Sequence, residues 1–207
     1  LSWMIFLLWY PSPLNQATGI LTIFFMLLII DVILGPFLSW LVYKEGKKTL
    51  IFDLDGTLLD SLTDLAASCN YALRINNMPE RTIDEVRMFV GNGVRKLMER
   101  AIPDGNRNEL FQKTYTDFRD HYLIHNLDHT SPYNGIITML KSLKDDGCNI
   151  AVVSNKFYAA TQELVNHFFG DYVSVAIGER DNIRKKPSPD TVFEALRQLN
   201  VEKDGAV

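Results

Sequence analysis

The sequence predicts an α/β fold: a parallel, doubly wound sheet with a helical module inserted after its first strand, preceded by a transmembrane helix. Three observations predict it. From Leu50 onward, short apolar runs rich in β-branched residues alternate with helical stretches. The spacing of those runs is uneven, about 95 residues in one gap and about 18 in the next. Before them, Leu1–Tyr43 carries a single charge, Asp31.

The amino-terminal part stands apart in composition. Net charge is +1 through Lys48 and −5 afterwards, within a chain total of −4. Gly19–Tyr43 is 25 residues long, about 37 Å as a helix at ~1.5 Å per residue, enough to cross a hydrocarbon core of roughly 30 Å with some tilt. It is too long for a signal peptide and has no basic region before it. Leu1–Tyr10 reads as the tail of an earlier span, with PSPLNQ as the turn between the two. Lys44, Lys47 and Lys48 put the domain after them in the cytoplasm by the positive-inside rule. Asp31, in mid-span, needs a partner helix, a polar cavity or a backbone group freed by Pro36, unless a strongly apolar helix simply tolerates it.

After Lys48 the elements come in order. LIFDL (Leu50–Leu54), NIAVVSN (Asn149–Asn155) and VSVAI (Val173–Ile177) are too short for helices and read as strands. Ser61, with Asp64 in the first turn, reads as a helix cap, Thr82-x-x-Glu85 as a capping box, and Ser188-Pro189 as a cap with proline at the first helical position. Gly147 and Gly170 sit where helices stop. Gly135–Asp146 suffices as the crossover between two parallel strands. The stretch Leu65–Thr130 is then left over as a helical cap. It comes after the carboxyl end of the first strand, where open α/β sheets bind ligands. The expected organisation is a membrane segment over 1–48 (partial span 1–10, span 19–43), a catalytic core from 49–64 and 131–207, and a cap over 65–130.

Composition narrows the functions. Of 207 residues 47% are hydrophobic, enough for a buried core, and a pI of about 5.6 excludes a general nucleic-acid binder. Cys69 and Cys148 lack metal-ligand spacing and read as reduced thiols. His121, His125 and His129 recur every four residues, but Asn126 and Asp128–Pro132 suggest that the helix ends there, so solvated cap residues are favoured over a metal site.

The chemistry lies in Asp53-Leu54-Asp55-Gly56-Thr57, at the end of the first strand. Side chains at i and i+2 of a strand point the same way, so both carboxylates reach one cleft. One can serve as nucleophile and the other as acid and base, with a divalent cation screening their repulsion. Two solvated acids in a turn is the alternative. Gly91-Asn92-Gly93 in the cap reads as a substrate-facing loop, or as a helix–helix turn that needs positive φ.

IFDLDGTLLDS resembles the first motif of the haloacid dehalogenase superfamily, VVSNK its second and KKPSPD its third, in the family's order and on strand ends. EVRMFVGNGVRKLMERAIPDG resembles the phosphoglycolate-phosphatase branch. The resemblance implies a Rossmann-like core and Mg²⁺-dependent hydrolysis of a small phosphorylated metabolite. Asp53 attacks phosphorus, and Asp55 protonates the leaving alcohol and then activates water. Ser154, Asn155, Thr57 and Gly56 hold the phosphoryl group, and Lys186 balances charge, with Lys185 as the alternative cation. Asp53 and Asp55 hold Mg²⁺. An acid at position 55 argues against dehalogenase chemistry, where a departing halide needs no proton. A mutase of the same fold is the second reading.

The family's fourth motif, a Gly-Asp pair with a further acid, normally comes after one more strand, and the chain stops at Val207 before it. The core is therefore expected to be incomplete and turnover impaired, unless Glu179 or Asp181 supplies the metal site. WYPSPL, IIDVILGP and YKEGKKTL resemble the start of type IV pilin accessory proteins of the bacterial inner membrane. That implies an anchor in the lipid bilayer, possible pilus-assembly partners and a cytoplasmic hydrolase domain, or a joined reading frame with the hydrolase simply cytoplasmic. A membrane assembly factor carrying an inert hydrolase fragment is the third reading.

Overall fold

The computed structural model describes residues 48–202. The expected spans 1–10 and 19–43, Asp31 and the pilin-like strings lie outside the described residues. Among the described residues no helix is long and apolar enough to cross a membrane.

A three-stranded parallel sheet forms the core, in the order β1 (Thr49–Phe52), β4 (Asn149–Phe157), β5 (Val175–Glu179). Thr49 pairs with Asn149 through to Phe52 with Val152, and Ala151 pairs with Val175 through to Val153 with Ile177. The central strand is buried from Ile150 to Lys156 and its residues alternate between two layers. Ile150 and Val152 pack with Leu140, Leu164 and Phe169 on one face; Ala151 and Val153 pack with Ile177 and Ala195 on the other. The first layer comes from α5 (Ile136–Asp145) and α6 (Tyr158–Phe169), the second from α7 (Asp190–Leu199). Helices thus cover both faces, as a buried parallel sheet requires.

Strand ends differ from the sequence reading for local reasons. β1 stops at Phe52 because the Leu54 carbonyl accepts from the N–H groups of Thr57, Leu58 and Leu59, which pulls the chain into a turn. β5 starts at Val175 because Val173 still donates to Phe169 at the end of α6. It runs on to Glu179. α7 begins at Asp190, one residue later than expected, and the Ser188 hydroxyl donates to the Asp190 carboxylate.

Between β1 and β4 a two-residue antiparallel ribbon pairs β2 (Leu59–Asp60) with β3 (Ser131–Pro132). Between those two strands lie α1 (Leu62–Ile75), α2 (Ile83–Phe89), α3 (Val94–Ala101) and α4 (Phe111–His125). α1 buries Leu65, Ala66, Cys69, Ala72 and Leu73, an i, i+1, i+4, i+7, i+8 stripe. The stripe meets Val86, Leu97, Met98, Phe118 and Tyr122 in one apolar cluster. Truncating Phe118, which is fully buried, would cost about 3–5 kcal/mol. The Thr82–Glu85 capping box starts α2 as the sequence indicates.

Candidate active site

The sequence at the end of β1 dictates a turn. Gly56 has φ +77°, in the left-handed region that favours glycine, and its N–H donates to Leu59. Asp53 and Asp55 leave the strand on either side of buried Leu54 and both line one cavity. β4 supplies the facing residues. Its register with β5 breaks after Val153 and resumes at Phe157 opposite Glu179, so two more residues lie on β4 than on β5. Such bulges re-aim side chains. Here the irregular stretch is Ser154-Asn155-Lys156, and all three line the cavity.

Each acid has its own lysine. Lys186 Nζ lies 2.7 Å from Asp53 Oδ1 and 2.8 Å from the Val153 carbonyl. Lys156 Nζ lies 2.8 Å from Asp55 Oδ1, which also accepts from the Ser61 hydroxyl. Burial alone would lower the Lys156 ammonium's pKa, but Asp55 and Tyr122 outweigh it and hold it above the ordinary lysine value. Lys185 turns instead to Glu179, at 2.9 Å.

Asn155 fastens these pieces together. Its amide donates to the Lys186 carbonyl at 3.1 Å and to the Gly91 carbonyl at 3.3 Å, and its oxygen accepts from the Lys186 N–H at 2.9 Å. Gly91 and Gly93, with φ +113° and +88°, join Val90, Val94 and Leu97 in closing the cavity from the helical side. A second groove continues from Asp55, Leu65, Val90 and Gly91 toward Asp60, Arg87 and Tyr133.

Not every expected residue arrives here. Thr57 is exposed and lines neither cavity, and its N–H is committed to Leu54. Gly56 reaches only the second groove. Asn92 accepts from Arg100 instead of entering the cavity. Ser61 gives α1 no side-chain cap; its hydroxyl is aimed at Asp55 and donates to it. The histidine series breaks after His125, where α4 ends, and His129 pairs with buried Asp64. Among the described residues no group of three or more His, Cys, Asp or Glu is placed to hold a metal.

The sequence reading missed Ser61 and Lys156. For Lys156 the available signal is its place in VVSNK, directly after the two residues read as phosphate ligands.

The family model for haloacid dehalogenase-like hydrolases matches residues 50–207. The chain belongs to that family. Among its relatives, the phosphoglycolate phosphatase of Aquifex aeolicus is 34% identical over 161 residues, 77% of this chain and 74% of that one. The phosphoglycolate phosphatase of Rhodobacter capsulatus is 36% identical over 155 residues, 72% of this chain and 70% of that one. The crystal structure of a predicted phosphoglycolate phosphatase from Haemophilus somnus 129PT superposes with a TM-score of 0.71 at 28% identity, covering 77% of this chain and 74% of that one. This member of the haloacid dehalogenase-like hydrolases is a phosphatase.

Proposed function

We propose that the protein hydrolyses a small phosphate monoester, with phosphoglycolate as first candidate, through an aspartyl-phosphate on Asp53. The observation that carries this reading is the Lys186–Asp53 contact at 2.7 Å, in a cavity shared with Asp55 and Ser154. Lys186 orients the Asp53 carboxylate and can neutralise negative charge gathering on the phosphoryl oxygens. The buried Ser154 hydroxyl, which accepts from the Lys156 N–H at 3.2 Å, has its own proton left to donate to such an oxygen.

In the first step an Asp53 oxygen bonds to phosphorus while the P–O bond to the alcohol breaks. The bonding pair stays on the departing oxygen, which takes a proton that Asp55 carries on Oδ2 while its Oδ1 accepts from Lys156 and Ser61. In the second step Asp55 removes a proton from water as that oxygen bonds to phosphorus, releasing phosphate and free Asp53. Dividing the reaction this way lowers each barrier, and one carboxyl returns to its starting state. Val90, Val94 and Leu97 give the cavity an apolar wall on the helical side, while Asp53 stays open enough for water to reach it in the second step.

Mg²⁺ fits the donor chemistry: carboxylate and carbonyl oxygens are hard ligands, and Mg²⁺ commonly takes one or two carboxylates with phosphate oxygens and water. The Asp53 carboxylate and the Asp55 backbone carbonyl would hold it, and when bound it neutralises phosphate charge. The phosphoglycolate phosphatases among the relatives support a small acidic ester as substrate.

The test is a panel of phosphate esters with Mg²⁺, phosphoglycolate first, followed by borohydride trapping during turnover. Borohydride reduces an aspartyl-phosphate to homoserine. Homoserine at position 53 is the expected result. Turnover without it, or full activity in Asp53→Asn, overturns the reading.

A further inference from the structure

The side chain of Lys156 is 1% exposed, yet it carries a charge. Two groups surround its ammonium: Asp55 Oδ1 at 2.8 Å, and the Tyr122 ring of α4, whose centroid is 4.7 Å away. A buried ion pair is weak evidence for stability, because desolvation offsets its Coulomb attraction. Its geometry has another consequence. Lys156 and Ser61 both donate to the same oxygen, Asp55 Oδ1. Among the described residues Oδ2 has no such donor.

We propose that Lys156 is a positioning residue: clamped between Asp55 and Tyr122, it fixes the Asp55 rotamer so that Oδ2 meets the leaving group. The proposal rests on the reading of Asp55 as proton donor. Ser61 supports the carboxylate from α1, and Lys156 supports it from the β4 bulge. Lys156 is itself held by a side chain of the helical module. The seating of α4 and the aim of Asp55 are therefore linked through one ammonium. The lysine touches neither phosphorus nor the departing oxygen and acts only through Asp55.

The readout is leaving-group dependence. An alkyl phosphate such as phosphoglycolate needs a proton delivered to its departing oxygen, whereas p-nitrophenyl phosphate leaves as a stable phenolate. Because the alcohol departs before water attacks, kcat/KM reports the first step alone: Lys156→Met should lower kcat/KM about a hundredfold on phosphoglycolate and no more than about threefold on p-nitrophenyl phosphate, since general acid catalysis contributes about 10²–10⁴-fold. Inhibition by inorganic phosphate, a measure of binding alone, should hold within about twofold. The melting temperature should hold or rise, since methionine fills the buried volume without a charge.

Tyr122→Leu, which strips the ring from beside the ammonium and leaves the charge pair, should show the same split at about fivefold. It also carries the test if Lys156→Met does not fold. Equal losses on both esters, or no loss on either, in a folded variant overturn the proposal. Asp55→Asn separates the two levels. If Asp55→Asn shows the split and folded Lys156→Met does not, the role of Lys156 fails alone. If Asp55→Asn shows no split, the proton-donor reading fails and the proposal with it.

Discussion

Asn155 grips Lys186 at two points of its backbone, accepting from its N–H at 2.9 Å and donating to its carbonyl at 3.1 Å. The second strand-end motif therefore holds the third in place, and the Lys186 side chain starts from a fixed backbone. Asn155→Ala removes both bonds and the link to Gly91. Each bond is worth about 0.5–1.5 kcal/mol, so kcat/KM on the best ester should fall roughly ten- to hundredfold. Steady-state kinetics checks it; a change under about twofold would show that Lys186 holds its place unaided.

Adjacent lysines make a sharper contrast. Lys186 reaches Asp53, while Lys185 is paired with Glu179 at the end of β5. Lys186→Met should reduce kcat by about 10² or more, the scale seen when one charge-stabilising donor is removed. Lys185→Met, which breaks a half-exposed pair worth up to about 1 kcal/mol, should stay within roughly fivefold. The reverse order of effects would reassign the essential cation.

The motif text made the neighbourhood legible, whereas side-chain partners decided its details. Asp53, Asp55, Ser154 and Lys186 could be placed because each stands at a strand end or directly before a proline in a readable motif. β4 reads as ending at Asn155, with charged Lys156 outside it. In the fold those groups are buried with partners from α4, the β1 turn and the Lys186 loop, so the strand continues to Phe157. Ser61 reads as a helix cap, but its side chain is aimed at Asp55, to which the hydroxyl donates, and away from the first N–H groups of α1. Gly56 and Thr57 read as phosphate ligands, yet the turn commits their N–H groups to Leu59 and Leu54. Long-range partners of this kind leave no periodicity in a sequence.

Gly93 tests how closely the helical loop lies on the sheet. A Cβ built there would sit 3.0 Å from Lys185 Nζ, 3.2 Å from the Asn155 carbonyl and 3.3 Å from Glu179 Oε2, at φ +88°. Gly93→Ala should therefore destabilise by about 1–2 kcal/mol from the backbone conformation. It should also raise KM several-fold as the loop is pushed off Asn155. Urea melts and substrate titration measure the two effects. Unchanged KM with lowered stability would separate the loop from substrate binding.

Asp64 is 1% exposed and sits where α1 leaves the β2–β3 ribbon. Its carboxylate accepts from the His129 N–H at 3.0 Å, the His129 ring at 2.9 Å, and the Thr130 N–H and hydroxyl at 2.8 Å each. Burial alone would raise its pKa, but these donors outweigh burial and hold it below the ordinary aspartate value of 3.8. Between the two values the unfolded chain binds the extra proton and the folded one does not, so stability rises with pH there. The contribution is fully present above pH 3.8 and is lost as pH falls toward the lower folded value. Asp64→Asn keeps the shape but presents an amide to two backbone donors, and should destabilise by about 2–4 kcal/mol at neutral pH. It has no carboxyl to titrate. The stability gap between wild type and Asp64→Asn, from urea melts at about pH 6 and pH 3, should therefore shrink in acid. A gap of constant size at both pH values would mean that Asp64 binds its proton equally in the folded and unfolded chain, and that these hydrogen bonds do not favour the charged form.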